Sequence, residues 1–455
     1  MSQLTLFKDE DKKLLSLKEA CIWASQYLNR KVTISNISYL IQYGRINKYG
    51  NNGNPLVNIE ELKDYYDSLS QENKWRKKLG GDINWHLSFI QYNESERTKH
   101  VHRLHPYKGK FIPQLVEYFL DFHTDEFKKE VYFHQGDIVL DPFCGSGTTL
   151  VQANELGMHA IGIDISFFNT LISNVKVDSH NLIAIADTIR TLTYKLKEFQ
   201  RIPNNAIFEK HLLVELAKFN NKYFPSPEYK RKVAKRVINE YEYSKEKERE
   251  FIPIYDDLIQ KYQIKVKQDK DETFLDRWFL EPVRKEIDFL AKEIELIEDT
   301  DVRNVLSIIL SRTVRSCRAT THADLATLKE PVTTTYYCKK HGKICKPIFS
   351  ITKWWEFYTK DTLNRLKQFE KIRTNTFQLC ITGDSRTIDI YEEVKRKNRD
   401  FAEILLREKI RGIFSSPPYV GLIDYHEQHA YAYEIFGFER RDELEIGPLY
   451  KGQGE

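Results

Sequence analysis

The sequence predicts an α/β protein. A parallel sheet carries a nucleotide-type site at its strand ends, a large and mostly helical insertion interrupts it, and a small module of helix, helix, hairpin and helix precedes it. Three observations carry this reading. Asp137–Ser166 runs as strand, glycine loop, helix, strand and acid. From about 179 to 374 glycine becomes scarce, and Lys, Glu, Leu and Ile recur at helical spacing. Strand character then returns at Phe377–Asp384 and again at Arg411–Phe414.

The N-terminal module begins after Met1–Lys13, a polar stretch expected to fray. Ser16 is placed to cap a helix running to Gln26, with Glu19 completing a capping box. Thr33 starts a second helix, Ile34–Tyr43, which Gly44 ends. Arg45–Tyr49, the turn Gly50–Pro55 and Leu56–Ile59 read as a hairpin before a third helix, Glu60–Leu69. Gln71–Gly81 is charged and contains glycine, so the boundaries fall at 1–70 for the module and 71–99 for a linker.

Residues 100–178 form the first part of the sheet domain. His100, His102 and His105 suggest metal ligands, but their spacing suits no single helical face and no carboxylate or cysteine cluster accompanies them, so no metal ligand is assigned. Tyr107–Pro113 leads into a helix before the first sheet strand. Ile138–Leu140 is apolar throughout, as in a strand buried on both faces, and Asp141-Pro142 stops it. Phe143-Cys144-Gly145-Ser146-Gly147 then turns the chain, and Thr148–Leu156 has the spacing of a packed helix ended by Gly157. A second strand, His159–Ile163, finishes on Asp164. Such a unit offers free N–H groups at the loop to a polar ligand and a carboxylate to ribose hydroxyls.

The insertion, 179–374, carries expected helices at Leu182–Phe199, Phe208–Tyr223, Tyr229–Tyr262 and Trp278–Ile297. Lys230-Arg231-Lys232 and Lys235-Arg236 form a basic cluster able to track phosphates, although acids from Glu240 onward also fit a solvated face. Arg312, Arg315 and Arg318 recur every three residues, which on a helix gives one face for phosphate contact. Cys338, His341 and Cys345, with Cys317 or His322, have feasible zinc spacing, yet no second C-x2-C pair fixes four ligands. A basic loop able to face phosphates, rather than a metal site, is the favoured reading of that stretch.

In residues 375–455, Asp384 ends a strand where its carboxylate can accept hydrogens from a ligand bound at the strand ends. Ile390–Glu408 reads as one amphipathic helix. Ser416-Pro417-Pro418-Tyr419 follows the last apolar run, and its prolines free carbonyls from the ladder beside an aromatic ring. That arrangement fits either a rigid turn or a clamp for a flat, amine-bearing ring. Beyond it, Asp424, His426, Glu427, Gln428 and His429 border the same place.

Composition is consistent with several cores: 455 residues, 41% hydrophobic. The net charge of +4 leaves any nucleic-acid face to local clustering. Six scattered cysteines, no bilayer-length apolar run and no signal-peptide pattern lead us to expect a cytoplasmic protein without a membrane partner.

DPFCGSGTT followed downstream by SPPY resembles the S-adenosylmethionine-dependent DNA methyltransferases that modify exocyclic amino groups. The resemblance implies a Rossmann-like methyltransferase sheet, S-adenosylmethionine as cofactor and double-stranded DNA as partner. It makes Asp141, Pro142, Phe143, Cys144, Gly145, Gly147, Thr148 and Thr149 the cofactor loop, Asp164 the ribose acid and Asp384 the adenine-side acid. Lys110 or His105 would meet the cofactor's carboxylate, and Phe167-Phe168-Asn169 would pack near its adenine. Ser416, Pro417, Pro418 and Tyr419 become the catalytic tetrapeptide, whose serine form resembles the cytosine-N4 branch more than the adenine-N6 branch.

The N-terminal module resembles winged helix-turn-helix domains of excisionase type. Ser35, Asn36, Ser38, Tyr39 and Gln42 would then face the major groove, with Arg45, Lys48 and the hairpin tip on phosphates. The insertion is the candidate for target recognition, and a restriction-modification role in a bacterial host is implied. Only four sheet strands are legible, whereas the family's sheet has several more. Either a second polypeptide completes the sheet, or the chain is a truncated, non-catalytic DNA-binding subunit. RNA or protein-glutamine methylation is a further alternative.

Overall fold

The computed structural model describes residues 13–28, 32–42, 44–50, 54–69, 89, 92–201, 204–322, 328, 330–418 and 424–445. The start of the N-terminal stretch expected to fray, the expected linker Gln71–Gly81, the expected hairpin tip at 51–53 and Tyr419 lie outside them. Eight short strands occur among the described residues: β1 (Leu14–Ser16), β2 (Leu56–Asn58), β3 (Ile138–Asp141), β4 (His159–Asp164), β5 (Tyr336–Cys338), β6 (Lys343–Cys345), β7 (Gln378–Thr382) and β8 (Ile410–Ile413). The chain divides into two compact units.

The first unit gathers Met1–Gln91, Lys210–Leu258 and Thr334–Lys346. Its helices Leu17–Tyr27, Ile34–Gln42 and Ile59–Leu69 bury Ala20, Ala24, Ile37, Leu40, Val57 and Leu62 in one core. The Ser16 hydroxyl accepts from Glu19 N while Glu19 accepts from Ser16 N at 2.8 Å, a closed capping box. The expected hairpin shrinks to one bridge, Tyr49 to Leu56. β2 pairs instead with β1, antiparallel, because buried Leu15 and Val57 lie opposite each other there. Ser35, Asn36, Tyr39 and Gln42 are exposed. The long helix expected over Tyr229–Tyr262 is broken into Glu228–Ala234 and Glu240–Tyr262. Arg236 takes φ 56° and Val237 N returns to Lys232 O at 2.9 Å, which closes off the first helix.

The second unit comprises Tyr92–Glu209, Ile259–Thr333 and Pro347–Glu455. Its sheet is parallel, in the order β7-β4-β3-β8. Ile138, Leu140, Ile161, Ile163 and Ile381 form one face, covered by Val394, Phe401, Ala402 and Leu405. Fully burying a side chain such as Phe401 contributes about 1.5–3 kcal/mol. The helix Thr148–Glu155 packs Leu150 on the opposite face, against Gly162. The expected helix Ile390–Glu408 is two helices, Ile390–Lys397 and Arg399–Glu408. Asn398 divides them: its N–H closes the first on Val394 O at 2.7 Å, and its side chain caps the second on Phe401 N at 3.0 Å.

β8 is an edge strand, with Ile413 64% exposed. The expected arginine face is not built. Arg312 is buried, ion-paired with Asp361, bonded to Thr362 at 2.6 Å and stacked on Tyr358 at 4.4 Å. Arg318 is also buried and lies beyond the end of the helix Thr300–Ser316. Among the described residues no helix is long and apolar enough to cross a membrane.

Candidate functional site

Parallel strands present all their carboxyl ends on one side of a sheet, so neighbours in the sheet become neighbours in the site whatever their distance in sequence. Here Asp141 at the end of β3, Asp164 at the end of β4, Asp384 after β7 and Ser416 after β8 line one cavity of about 350 Å³. Its wall also takes Pro142, Phe143, Cys144, Gly145, Thr148 and Thr149 from the loop and first helical turn, and Lys110 from the segment before the sheet.

The loop spends more of its N–H groups internally than the sequence suggested. Phe143 N donates to Asp141 Oδ1 at 3.2 Å, Cys144 N to Ile163 O at 2.9 Å, Gly145 N to Asp164 Oδ2 at 2.8 Å and Gly147 N to Cys144 O at 2.9 Å. The bonds fix a shape, and side chains supply much of the polarity. Gly147 caps the following helix at φ 74°, where an added Cβ would lie 2.9 Å from Ser173. Beneath the loop, fully buried Lys176 donates to Ser146 O. The Ser146 hydroxyl and Asn169 Oδ1, both on residues lining the cavity, are buried with no hydrogen-bond partner among the described residues.

Asp164 is the most constrained acid. Burial pushes it up to about 6, against bonds from Ser166 N at 2.9 Å, Asn169 Nδ2 at 3.0 Å and Gly145 N. Burial also raises Asp141, which accepts the Ser415 hydroxyl at 2.6 Å. Asp384 is the opposite case. Arg386 grips it through Nε at 3.0 Å and Nη2 at 2.6 Å and holds it at about 2, ionised over the cavity. Lys110, lowered to about 8 by burial, donates to His102 O at 2.9 Å while lining the wall.

Several expectations are redirected. Of the tetrapeptide, Ser416 and Pro418 line the cavity and Pro417 is exposed beside it. His105 does not line it; fully buried, it pairs with Ser311 at 2.9 Å. Phe168 is buried against His105, His429 and Phe436, and Phe167 packs on Phe438, so only Asn169 of that trio reaches the wall. Beyond the tetrapeptide, Tyr425, His426, Tyr433 and Glu445 close the cavity. Tyr107, stacked on Tyr425 at 5.8 Å, covers Gly145. Sequence reasoning missed Ser415, Lys176 and Glu445, none of which carries a local signal. It also missed Glu155, whose Oε1 lies 3.0 Å from His100 Nε2, because that partner stands on another helix.

Two anchored carboxylates, a cation and unsatisfied hydroxyl and amide oxygens suit a ligand bearing hydroxyls, an amino-substituted ring and a carboxylate. Ser416, after the neighbouring strand, adds a hydroxyl to the same wall.

A family model described as DNA methylase matches residues 3–171. The chain is 47% identical to the type II methyltransferase M.MjaII of Methanocaldococcus jannaschii over 453 residues, which is 98% of this chain and 83% of that protein. It is 33% identical over 125 residues to the type II methyltransferase M.MvaI of Kocuria varians, 28% of this chain and 25% of that one. A tRNA (guanine(10)-N2)-dimethyltransferase of Methanocaldococcus jannaschii is 38% identical over 112 residues, 24% of this chain and 28% of its own length. No solved structure matches.

Proposed function

This chain belongs to the DNA methylase family, and from that premise we propose that it methylates the exocyclic N4 of cytosine in duplex DNA as the modifying enzyme of a restriction-modification pair. Enzymes of the family use S-adenosylmethionine as methyl donor. One observation carries the site assignment: the glycine loop, Asp164, Asp384 and Ser416 share a single cavity. Its volume of about 350 Å³ lies in the roughly 300–1,000 Å³ range of ligand sites. The unpartnered Ser146 hydroxyl and Asn169 Oδ1 fit a polar ligand there.

When bound, the cofactor supplies a methyl group activated by a sulfonium. The chain's residues then position and accept. Asp164 takes ribose hydroxyls, Asp384 the adenine amine, and Lys110 the methionine carboxylate. Loop residues Asp141–Thr149 shape the floor. Ser416 and the Pro417 carbonyl accept hydrogens of the target amine, turning its lone pair out of the ring and toward the methyl. Tyr419 provides a stacking surface. The base must leave the duplex to arrive there.

The serine of the tetrapeptide supports cytosine N4 over adenine N6. For DNA reading we assign the winged helix-turn-helix role to 1–70, whose exposed Ser35, Asn36, Tyr39 and Gln42 would enter the major groove, leaving 71–99 as linker. The insertion 179–374, which in sequence separates the two Rossmann-like parts 100–178 and 375–455, adds exposed Lys232, Lys235 and Arg236 as phosphate contacts. Exposed Ile413 on edge strand β8 supports a second polypeptide pairing there.

The test is incubation with S-adenosylmethionine and mixed-sequence duplex DNA, then digestion to nucleosides and mass spectrometry. N4-methylcytosine supports the proposal, and N6-methyladenine reassigns the base. No methylated base, with cofactor and DNA both shown to bind, means that this chain does not catalyse the transfer unaided.

A further inference from the structure

We propose that the β5–β6 hairpin binds one zinc ion through Cys338, His341 and Cys345. The three ligand atoms lie within 4.8 Å of one another, with His341 Nδ1 3.4 Å from Cys345 Sγ. A tetrahedral zinc with bonds of about 2.3 Å to sulfur and about 2.0–2.1 Å to nitrogen separates such a pair by about 3.5 Å. The hairpin is therefore already set at metal-binding spacing.

The backbone produces this arrangement. His341 N and Gly342 N both donate to Cys338 O, at 3.1 and 2.7 Å, so the chain folds back directly after the first thiol. Gly342 makes that turn at φ 64°. Antiparallel pairing of β5 with β6 then returns Cys345 to the same side. Asn220 clamps the returning strand, accepting from Ile344 N at 2.9 Å and donating to Ile344 O at 3.0 Å. Cys338 and Cys345 are buried while His341 is exposed, a pattern of inner thiolates and an outer imidazole that leaves a path for the ion. Two thiolates and an imidazole are a ligand set that zinc commonly takes. Each cysteine loses its thiol proton to solvent on binding, and a water or one further side chain completes the tetrahedron.

The full chain, purified without chelator, is assayed for metal by mass spectrometry and for zinc released by a thiol-blocking mercurial. About one zinc per chain is expected, together with thiolate-to-cobalt charge-transfer absorption after exchange with cobalt. Cys338→Ser and Cys345→Ser should each remove the metal. Cys380→Ser, a buried cysteine of β7, should retain it. Because the wild-type content and the cobalt spectrum need no variant, a misfolded mutant does not decide the matter. Zinc-free wild-type protein that takes up no cobalt, or a Cys338–Cys345 disulfide in freshly purified protein, overturns the proposal.

Discussion

Gly145 donates its N–H to Asp164 Oδ2 at 2.8 Å, so the loop after β3 is held by the acid that ends β4. Asp164 therefore keeps the loop in shape while lining the cavity, and in the proposed function its remaining lone pairs take ribose hydroxyls.

Cofactor affinity should follow the ionisation of Asp164. Burial raises its pKa from 3.8 to about 6, so the carboxylate needed for ribose hydroxyls forms as pH rises through that window. The sign for folding is the reverse: the stability this group contributes is present below 3.8 and lost as pH climbs through about 6. Calorimetric titration of S-adenosylmethionine should show affinity falling by up to about tenfold per pH unit below the break. Asp164→Asn should weaken binding by roughly ten- to a hundredfold and abolish the break; a variant that keeps the wild-type profile removes Asp164 from the site.

Ser415 and Ser416 separate support from chemistry. Ser415 bonds Asp141 and does not line the cavity, whereas Ser416 lines it. Ser416→Ala should lower kcat by roughly a hundredfold or more with little change in cofactor KM, as for loss of a transition-state hydrogen bond. Ser415→Ala removes a bond to a buried acid, costing about 1.5–3 kcal/mol of stability. Thermal unfolding and steady-state kinetics on both variants distinguish them, and equal effects on both parameters would contradict the division.

Gly147→Ala should fail at the loop. A side chain at φ 74° costs about 1–3 kcal/mol, and its Cβ would stand 2.9 Å from Ser173. Urea unfolding should register the loss and cofactor binding should drop with it. Wild-type stability would show that the loop relaxes freely.

The basic residues should divide by burial. Ala at exposed Lys232, Lys235 and Arg236 together should reduce the slope of log K against log salt by up to about 3, about 0.9 for each phosphate no longer neutralised. Arg312→Ala should leave that slope unchanged and instead cost about 1–3 kcal/mol of stability, through loss of its bonds to Asp361 and Thr362 and its stacking on Tyr358, while Asp361 keeps Arg365 as ion-pair partner. Salt-dependent DNA binding and denaturation measure the two separately.

What the sequence disclosed follows from where the signals are local. Caps at Ser16 and Asn398 and the strand-to-acid run ending at Asp164 are written in a few adjacent residues, although at Asn398 the cap went unread and two helices were expected as one. The loop and tetrapeptide were legible as motifs, and parallel pairing of β3 with β8 makes them neighbours. Partners supplied from afar were not legible. The three-residue spacing of Arg312, Arg315 and Arg318 gives a helix face but cannot say that Asp361 will pair with the first. His100 likewise gave no sign of Glu155, nor Asp141 of Ser415.

β3 and β8 are adjacent in the sheet, yet Asp141 and Ser415 stand 274 residues apart in the chain. At about 5–20 residues per second, a ribosome needs roughly 14–55 s to get from one to the other. Throughout that interval β3 has β4 available on one side and nothing on the other, so a nascent chain presents an unpaired edge beside its glycine loop. Translation speed and chaperone access during those seconds should govern how much protein reaches the folded state, and slowing the ribosome within the insertion lengthens the exposure.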